Sequence, residues 1–283
     1  MAQPRSMKPG NSFRPKKSLG QNFLIDPTVI QKIILHAGLQ ASEQVLEIGP
    51  GRGALTLPLA RSVDHVFAVE KDACLVNSLR DRLARSGVRN VTLIHHDILV
   101  WSFREIGLPR PARLRIIGNL PYNISAPVLE KLIKNRKFLN KAVLMFQLEV
   151  AERLTASPGG KPYGALTVLV QYYARSRVLL EVSKDAFHPK PKVDSMVLEL
   201  DFERPYPKAA RDEDTFRKIV KGAFAYRRKT LINSLRSLAG DWDKSSLLKA
   251  METCGINPNR RAETLSMDEF LRFSDAVSLT NCR

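Results

Sequence analysis

One short motif carries side chains that could bind a flat ligand with an amine: Asn119-Leu120-Pro121-Tyr122. It follows the apolar residues 114–118, which predict a buried strand. Asn119 offers a side-chain carbonyl and an amide, Pro121 makes the turn rigid, and Tyr122 offers a flat face for stacking. A planar ring with an exocyclic amine, such as adenine, fits this set. An ordinary strand-to-loop turn is the alternative interpretation.

A glycine-rich segment follows an earlier predicted strand: Gly49-Pro50-Gly51-Arg52-Gly53-Ala54. Glycines at this place allow a tight turn and a close approach of the backbone to a ligand, so Gly49 and Gly51 are candidate binding residues. Read as G-x-G-x-x-A, the segment fits a dinucleotide fingerprint. Read as E-x-G-x-G-x-G from Glu47, it fits an S-adenosylmethionine loop better. A glycine cluster without a ligand is the third interpretation.

Two carboxylates also follow predicted strands, and each could contact a nucleoside. Glu70 lies where an acid can accept both hydroxyls of a ribose, which NAD and S-adenosylmethionine both carry. Asp97 could accept a hydrogen bond from an adenine amine. Singly, Glu70 could be a surface residue and Asp97 a helix cap. With Asn119, however, they form an ordered set at the carboxyl edge of one sheet, where ligands of such folds bind.

The elements that must position these residues alternate between strand and helix. The sequence predicts strands at 45–48, 65–69, 91–95, 114–117 and 142–146, with helices at 54–61, at 73–86, from about 125 and from 149. A helix starting after the Asp26-Pro27 cap should end at Gly38. The pattern predicts an α/β fold with a doubly wound, Rossmann-like parallel sheet.

The second half of the chain changes character. Segments 178–182 and 196–202 predict two final strands joined by the Pro-rich loop 187–191, and the chain beyond residue 206 looks helical. Ser266 and Glu269 match a capping box before the last helix. We therefore expect a flexible basic arm over residues 1–18, a catalytic domain over 19–205 and a small all-helical domain over 206–283.

Composition restricts the class of partner. The 283 residues carry a formal net charge of +17, with basic residues in excess along the whole chain, which indicates a polyanion such as nucleic acid. Three separated cysteines, Cys74, Cys254 and Cys282, suit neither a disulfide framework nor a zinc site, so we expect no metal. No apolar run reaches membrane-spanning length and no secretory signal is evident, so we expect a cytoplasmic protein without membrane contact.

The motifs together resemble one family, the rRNA adenine N6-dimethyltransferases, and within it the type that acts on the small ribosomal subunit. The resemblance covers residues 17 to about 231 in the family's order, and the helical tail also fits. The segments that carry it are Lys17-Ser18-Leu19-Gly20-Gln21-Asn22-Phe23-Leu24, residues 46–53, Asn119-Leu120-Pro121-Tyr122, Phe187-His188-Pro189-Lys190-Pro191-Lys192-Val193-Asp194-Ser195 and Arg227-Arg228-Lys229-Thr230-Leu231.

The resemblance implies S-adenosylmethionine as methyl donor and two adjacent adenines, in the loop of the 3′-terminal hairpin of 16S rRNA, as acceptors. The implied substrate is a pre-30S particle, and the expected protein is a monomer. The cofactor pocket would be lined by Asn22, Leu24, Gly49, Gly51, Glu70, Asp97 and Asn119. The Asn119 side-chain oxygen and the Leu120 carbonyl would accept from N6, while Tyr122 and Phe187 cover the base.

The basic tail should hold the RNA. Arg227, Arg228 and Lys229 are the candidate phosphate contacts, and Arg260-Arg261 form a second basic pair. A solvated helix face is the alternative for either group. Three rival functions stay open. They are a large-subunit rRNA methyltransferase of the macrolide-resistance type, a NAD-dependent dehydrogenase, which would need a hydride-handling residue that the sequence lacks, and a non-catalytic ribosome assembly factor.

Overall fold

A computed structural model describes residues 20–107, 113–238 and 241–280. Three parts of the sequence discussed above lie outside these ranges: the predicted arm over residues 1–18, Lys17 to Leu19 of the motif Lys17–Leu24, and Cys282. The strands are β1 (Phe23–Leu24), β2 (Gln44–Ile48), β3 (His65–Glu70), β4 (Val91–His95), β5 (Leu114–Asn119), β6 (Leu139–Gln147), β7 (Arg175–Val182), β8 (Phe187–His188) and β9 (Ser195–Asp201). The helices are α1 (Pro27–Ala37), α2 (Thr56–Ser62), α3 (Ala73–Arg85), α4 (Ser125–Lys134), α5 (Leu148–Leu154), α6 (Ala165–Tyr173), α7 (Glu213–Ala223), α8 (Leu231–Ser234), α9 (Lys244–Thr253) and α10 (Met267–Thr280).

Seven strands form one mixed sheet in the order β4-β3-β2-β5-β6-β9-β7. The first five are parallel, and β9 pairs antiparallel with both β6 and β7. The central strands are mostly apolar and are buried along most of their length, as expected for parallel strands covered by helices on both faces of the sheet. The strand order reverses between β2 and β5, and the carboxyl ends there open a crevice that suits a ligand. The predicted doubly wound α/β fold is confirmed.

Local chemistry explains why α1 lies where the sequence predicts it. The Asp26 carboxylate accepts the amides of Thr28 and Val29 at 2.8 and 3.2 Å, and Gly38 ends the helix at φ +58°. The helix after β2 begins two residues later than predicted, at Thr56. The cause is Gly53, whose φ of +79° keeps the preceding turn out of the helix.

Two features were not predicted. β1 and β8 form a small antiparallel sheet, with Phe23 opposite His188 and Leu24 opposite Phe187. Each strand is only two residues long, so no alternation was visible in the sequence. α6 was also missed because it is apolar nearly all round and six of its nine residues are buried, which hides the helical period.

The tail is helical as predicted, and its hydrophobic core continues into that of the sheet. Tyr172 of α6 packs on Phe216 of α7 with ring centroids 4.5 Å apart. At α10, the Ser266 hydroxyl accepts the Glu269 amide at 3.2 Å and the Glu269 carboxylate accepts the Ser266 amide at 2.8 Å, which confirms the capping box. The division of the chain near residue 206 stays a prediction.

Candidate active site

A cleft opens at the carboxyl ends of the parallel strands, and five chain segments line it. They are residues 20–24, the loop after β2, the end of β3, the loop after β4 and the loop after β5. The sequence motifs that flank these strands therefore meet in space. The lining includes all the residues predicted for the cofactor pocket: Asn22, Leu24, Gly49, Gly51, Glu70, Asp97 and Asn119.

The glycine loop after β2 brings bare backbone to the cleft. Gly49 and Gly51 have φ values of +67° and +56°, which other residues rarely adopt. A Cβ at Gly51 would lie 3.1 Å from the ring of Phe23. A Cβ at Gly118, in the neighbouring β5, would lie 2.7 Å from the Ile48 carbonyl oxygen. The glycines thus let β2, β5 and the segment before α1 approach one another at the ligand edge.

Glu70 ends β3 with its carboxylate almost wholly buried. One oxygen accepts the Gly51 amide at 3.1 Å, and the other accepts the Asp72 amide at 2.9 Å. Burial raises the pKa of Glu70, while these amide donors oppose that rise. Each carboxylate oxygen can accept a second hydrogen bond, so the group can fix the glycine loop and still accept ribose hydroxyls. That second role stays a prediction.

Asp97 lies in the loop after β4 and already has two partners. Its Oδ1 accepts the Leu99 amide at 2.9 Å, and its Oδ2 lies 2.8 Å from the Lys71 ammonium nitrogen. The Lys71 hydrogen bond holds the pKa of Asp97 below its ordinary value. The Lys71 side chain is largely exposed and able to move, so an adenine amine could share or displace this contact.

Asn119 stands at the end of β5 with one side of its amide already engaged. Its Nδ2 donates to the Asn22 backbone carbonyl at 3.1 Å. This bond sets the orientation of the amide, so that Oδ1 is left as the acceptor for a ligand amine. In the next turn the Ile124 amide donates to the Pro121 carbonyl at 3.1 Å, which folds the motif into the start of α4.

The Tyr122 ring is tethered by a residue of β9 at the same edge of the sheet, where Ser195 lies opposite Gln147 at the end of β6. The Tyr122 hydroxyl lies 2.8 Å from the Ser195 hydroxyl at the start of β9, and Ser195 is 1% exposed. Burial raises the pKa of Tyr122, so the phenol stays neutral at physiological pH. The bond joins the Asn119–Tyr122 motif to the end of the Pro-rich loop, a connection that sequence spacing could not reveal.

Phe187, predicted to cover the base, is placed differently from the other candidates. It is 3% exposed, pairs with Leu24 across the small sheet and packs in a hydrophobic cluster with residues such as Ile33 and Val182. It is not among the residues that line the cleft. Its contact with a target base stays a prediction.

Glu47 is a cleft residue that the sequence showed only as part of a motif. It is 2% exposed, and its Oε2 has no hydrogen-bond partner within the described ranges. Burial raises the pKa of Glu47 to about 8, the hydroxyl of Thr56 opposes that rise, and the charge of Glu70 adds to it. An unpartnered buried acid in the cleft fits a cationic ligand. S-adenosylmethionine, with its sulfonium and ammonium groups, matches this requirement.

The predicted RNA-binding residues lie in a different part of the fold. Arg227, Arg228 and Lys229 are exposed in the turn before α8, and the Arg227 guanidinium donates to the Lys161 carbonyl at 2.5 Å. Arg260, from the second basic pair, is bound instead by Glu269 and by the carbonyl of Thr264 at 2.7 Å. Arg260 is therefore a structural residue of the tail.

The described residues hold neither a metal centre nor a membrane span. No cluster of His, Cys, Asp or Glu among them has the arrangement needed to hold a metal ion. No helix within those ranges combines the length and apolar character that a membrane crossing requires.

Sequence comparison identifies the family. The profile described as ribosomal RNA adenine dimethylase matches residues 12–278. A ribosomal RNA small subunit methyltransferase A from Desulforapulum autotrophicum is 44% identical over 277 residues, which cover 98% of this chain and 97% of the relative. A relative of the same name from Geobacillus thermodenitrificans is 42% identical over 270 residues, with coverage of 94% and 92%.

Solved structures agree with the sequence matches. A dimethyladenosine transferase from Plasmodium falciparum superimposes with a TM-score of 0.74 at 27% identity, covering 88% of this chain and 95% of that one. The 23S rRNA methyltransferase ErmE gives a TM-score of 0.68 at 25% identity, with coverage of 91% and 100%. Both align over most of the helical tail as well as over the sheet.

Taken with these matches, the doubly wound sheet, the glycine loop and the cleft at the strand ends are those of an S-adenosylmethionine-dependent methyltransferase. More specifically, the chain belongs to the ribosomal RNA adenine dimethylase family. It is an enzyme whose methyl donor is S-adenosylmethionine. The dehydrogenase alternative is therefore excluded.

Proposed function

We propose that this enzyme transfers methyl groups to N6 of two adjacent adenines in the loop of the 3′-terminal hairpin of 16S rRNA. The observation that carries the proposal is the tethered Asn119 amide in a cleft lined by every predicted cofactor-pocket residue. The full-length relatives named for the small subunit support the choice of RNA. The acceptor is a pre-30S particle, bound in the cytoplasm by a monomer.

The residues around N6 make the amine of the target adenine more nucleophilic. Bound S-adenosylmethionine supplies a methyl group that is already electrophilic, so the difficulty is the N6 lone pair, which is delocalised into the purine. Asn119 Oδ1 and the Leu120 carbonyl accept from the amine and favour a tetrahedral nitrogen with a localised lone pair. Asn119 also has an acceptor for the N–H that remains after the first transfer, which permits a second one.

These residues position the adenine, and none of them needs to act as a strong general base. The Tyr122 ring, fixed by Ser195, stacks on the adenine and aligns N6 with the donor. Orientation of this kind contributes up to roughly 7–11 kcal/mol in favourable cases. The methylated aminium is acidic enough to lose its proton to water. An adenine in a loop suits the site because flipping an unpaired base costs least.

Large-subunit RNA is the second candidate acceptor, because ErmE, named for 23S rRNA, has nearly the same fold. Purified enzyme with labelled S-adenosylmethionine should methylate small-subunit particles that lack these modifications and leave large-subunit particles unlabelled. Nucleoside analysis of the labelled RNA should give dimethyladenosine. Label in the large subunit alone would support the ErmE-like alternative, and no label in either would show that neither particle is the acceptor.

A further inference from the structure

Three loops from distant parts of the sequence meet beside the helical tail. They are residues 157–162 after α5, residues 225–230 before α8 and residues 257–264 before α10. The hydrogen bonds that join them are Arg227 Nη2 to the Lys161 carbonyl at 2.5 Å, the Gly159 amide to the Glu263 carbonyl at 2.7 Å and the Leu231 amide to the Arg260 carbonyl at 2.7 Å. The loops therefore form one continuous surface, which we call the three-loop surface.

The three-loop surface is strongly positive. Its exposed side chains include five cations: Lys161, Arg227, Arg228, Lys229 and Arg261. Glu263 is the one acid in these loops, and it lies 4.0 Å from Arg261. Within the part of the chain that the structure describes, no ion pair neutralises Lys161, Arg228 or Lys229. Unpaired cations on a shared face suit a polyanion.

An aromatic ring stands among these cations. Tyr226 is 55% exposed, and it is the only Phe, Tyr or Trp among the described residues whose side chain is exposed rather than packed. Its backbone is fixed, because its carbonyl accepts both the Lys229 amide at 3.0 Å and the Ser234 hydroxyl at 3.1 Å. A rigid turn therefore presents the ring to solvent.

We propose that the three-loop surface binds an unpaired RNA nucleotide, with the base stacked on Tyr226 and the flanking phosphates on Lys161, Arg228 and Lys229. Stacking rings set in a positive groove are how proteins hold single-stranded nucleic acid. A protein partner fits less well, because protein interfaces are poor in lysine and need an apolar centre, which one tyrosine does not supply. This inference rests on the proposed function and adds a second RNA subsite, outside the methylation cleft.

The test separates the ring from the charges by their different salt dependence. We would measure binding of a fluorescein-labelled single-stranded RNA, its duplex and small-subunit particles over a range of salt. Tyr226→Ala should weaken single-strand binding about five- to hundredfold, while the affinity for the duplex hardly changes. The salt slope, which is the slope of log affinity against log salt concentration, should stay as in the wild type. Tyr226→Trp should restore single-strand binding. Lys161→Gln should instead flatten the slope by about 0.7, as expected when one cation no longer neutralises a phosphate of a single strand.

Matched controls lie in α1, which packs against β7 and α2. Leu35→Ala removes another exposed apolar side chain and Lys32→Gln another exposed charge, and neither should change single-strand affinity or slope. Wild-type affinity in Tyr226→Ala for the single strand would overturn the stacking inference. If Tyr226→Ala weakened binding to the particles but not to the single strand, the three-loop surface would contact a ribosomal protein. That result would also overturn the stacking inference. Methylation of the particles by wild-type enzyme tests the proposed function separately.

Discussion

Both polar atoms of the Asn119 amide have a role, Nδ2 as a donor within the protein and Oδ1 as the proposed acceptor for the target amine. Its nitrogen is held by the Asn22 carbonyl, so its oxygen has a fixed direction before any RNA arrives. Pre-set acceptors of this kind are effective because they do not have to reorganise during the reaction. The sequence indicated the amide but not its tether, because Asn22 and Asn119 are far apart in the chain.

Replacing this amide should damage chemistry more than cofactor binding. We expect Asn119→Ala to lower kcat by about 100-fold or more, by analogy with the removal of other preorganised polar groups. S-adenosylmethionine affinity, measured by calorimetry, should change only a few-fold. Asn123→Ala is the control, since it removes another amide that lines the cleft but lies outside the Asn119–Tyr122 motif. Near wild-type turnover in Asn119→Ala would refute the role given to this residue.

The hydrogen bond between Tyr122 and Ser195 should orient the ring. Tyr122→Phe and Ser195→Ala each remove it, and each should lower kcat/KM for RNA about two- to tenfold, the worth of one such bond. The double variant should be no worse than either single one, since both delete the same interaction. Additive effects would show that Ser195 acts on something other than Tyr122. Tyr122→Ala should reduce activity far more, because the stacking face disappears.

Glu47 gives the ligand-free protein a pH-dependent stability. Its pKa is about 8 when folded against 4.5 ordinarily, so the folded state binds the extra proton between these values. Stability is therefore full below about pH 4.5 and falls as the pH rises towards 8, by roughly 5 kcal/mol at most. Glu47→Gln should lose much less stability between about pH 5 and about pH 9 in urea unfolding. The exposed control Glu152→Gln should follow the wild type, and an identical pH profile in Glu47→Gln would contradict the argument.

At the scale of elements, the sequence was informative where pattern and burial coincide. The parallel strands are apolar runs bounded by turns, so all five were predicted at their places, and Asp26 and Ser266 marked their helices through capping chemistry. α6 and the β1–β8 pair depend on tertiary contacts and leave no local period. The cleft was predictable because parallel strands end at one edge. The tethers of Asn119 and Tyr122 were not, because they depend on how loops fold back.

The close approach of β2 and β5 should be intolerant of any side chain. Gly118→Ala would place a Cβ 2.7 Å from the Ile48 carbonyl oxygen, and backbone cannot move aside as a flexible side chain can. We expect a decrease of about 1–3 kcal/mol in unfolding free energy together with weaker S-adenosylmethionine binding. Gly160→Ala is the control, because its new Cβ would meet neighbours only at 3.5 Å. Wild-type stability in Gly118→Ala would show that the strands can separate without cost.

For the whole molecule, the net charge of +17 indicated a polyanion before any element was assigned. It could not say which cations face the RNA. The structure divides them by their partners: Arg260 is bound by Glu269, whereas Arg228 and Lys229 extend into solvent. The cleft is formed by strand ends, whereas these cations lie in the tail. Mutations should therefore be able to change RNA binding without changing cofactor binding.

This separation leads to the last prediction. Replacing Arg227, Arg228 and Lys229 together by Ala should weaken rRNA binding and flatten its salt slope by about 0.7 to 0.9 for each phosphate that is no longer neutralised, since each neutralised phosphate releases condensed counterions. S-adenosylmethionine affinity should stay as in the wild type. The control variant replaces Lys32, Arg61 and Arg85, three exposed cations of α1 to α3, and so removes the same charge elsewhere. If both variants change the slope equally, net charge rather than this turn holds the RNA. If neither does, the RNA must bind along the rim of the cleft.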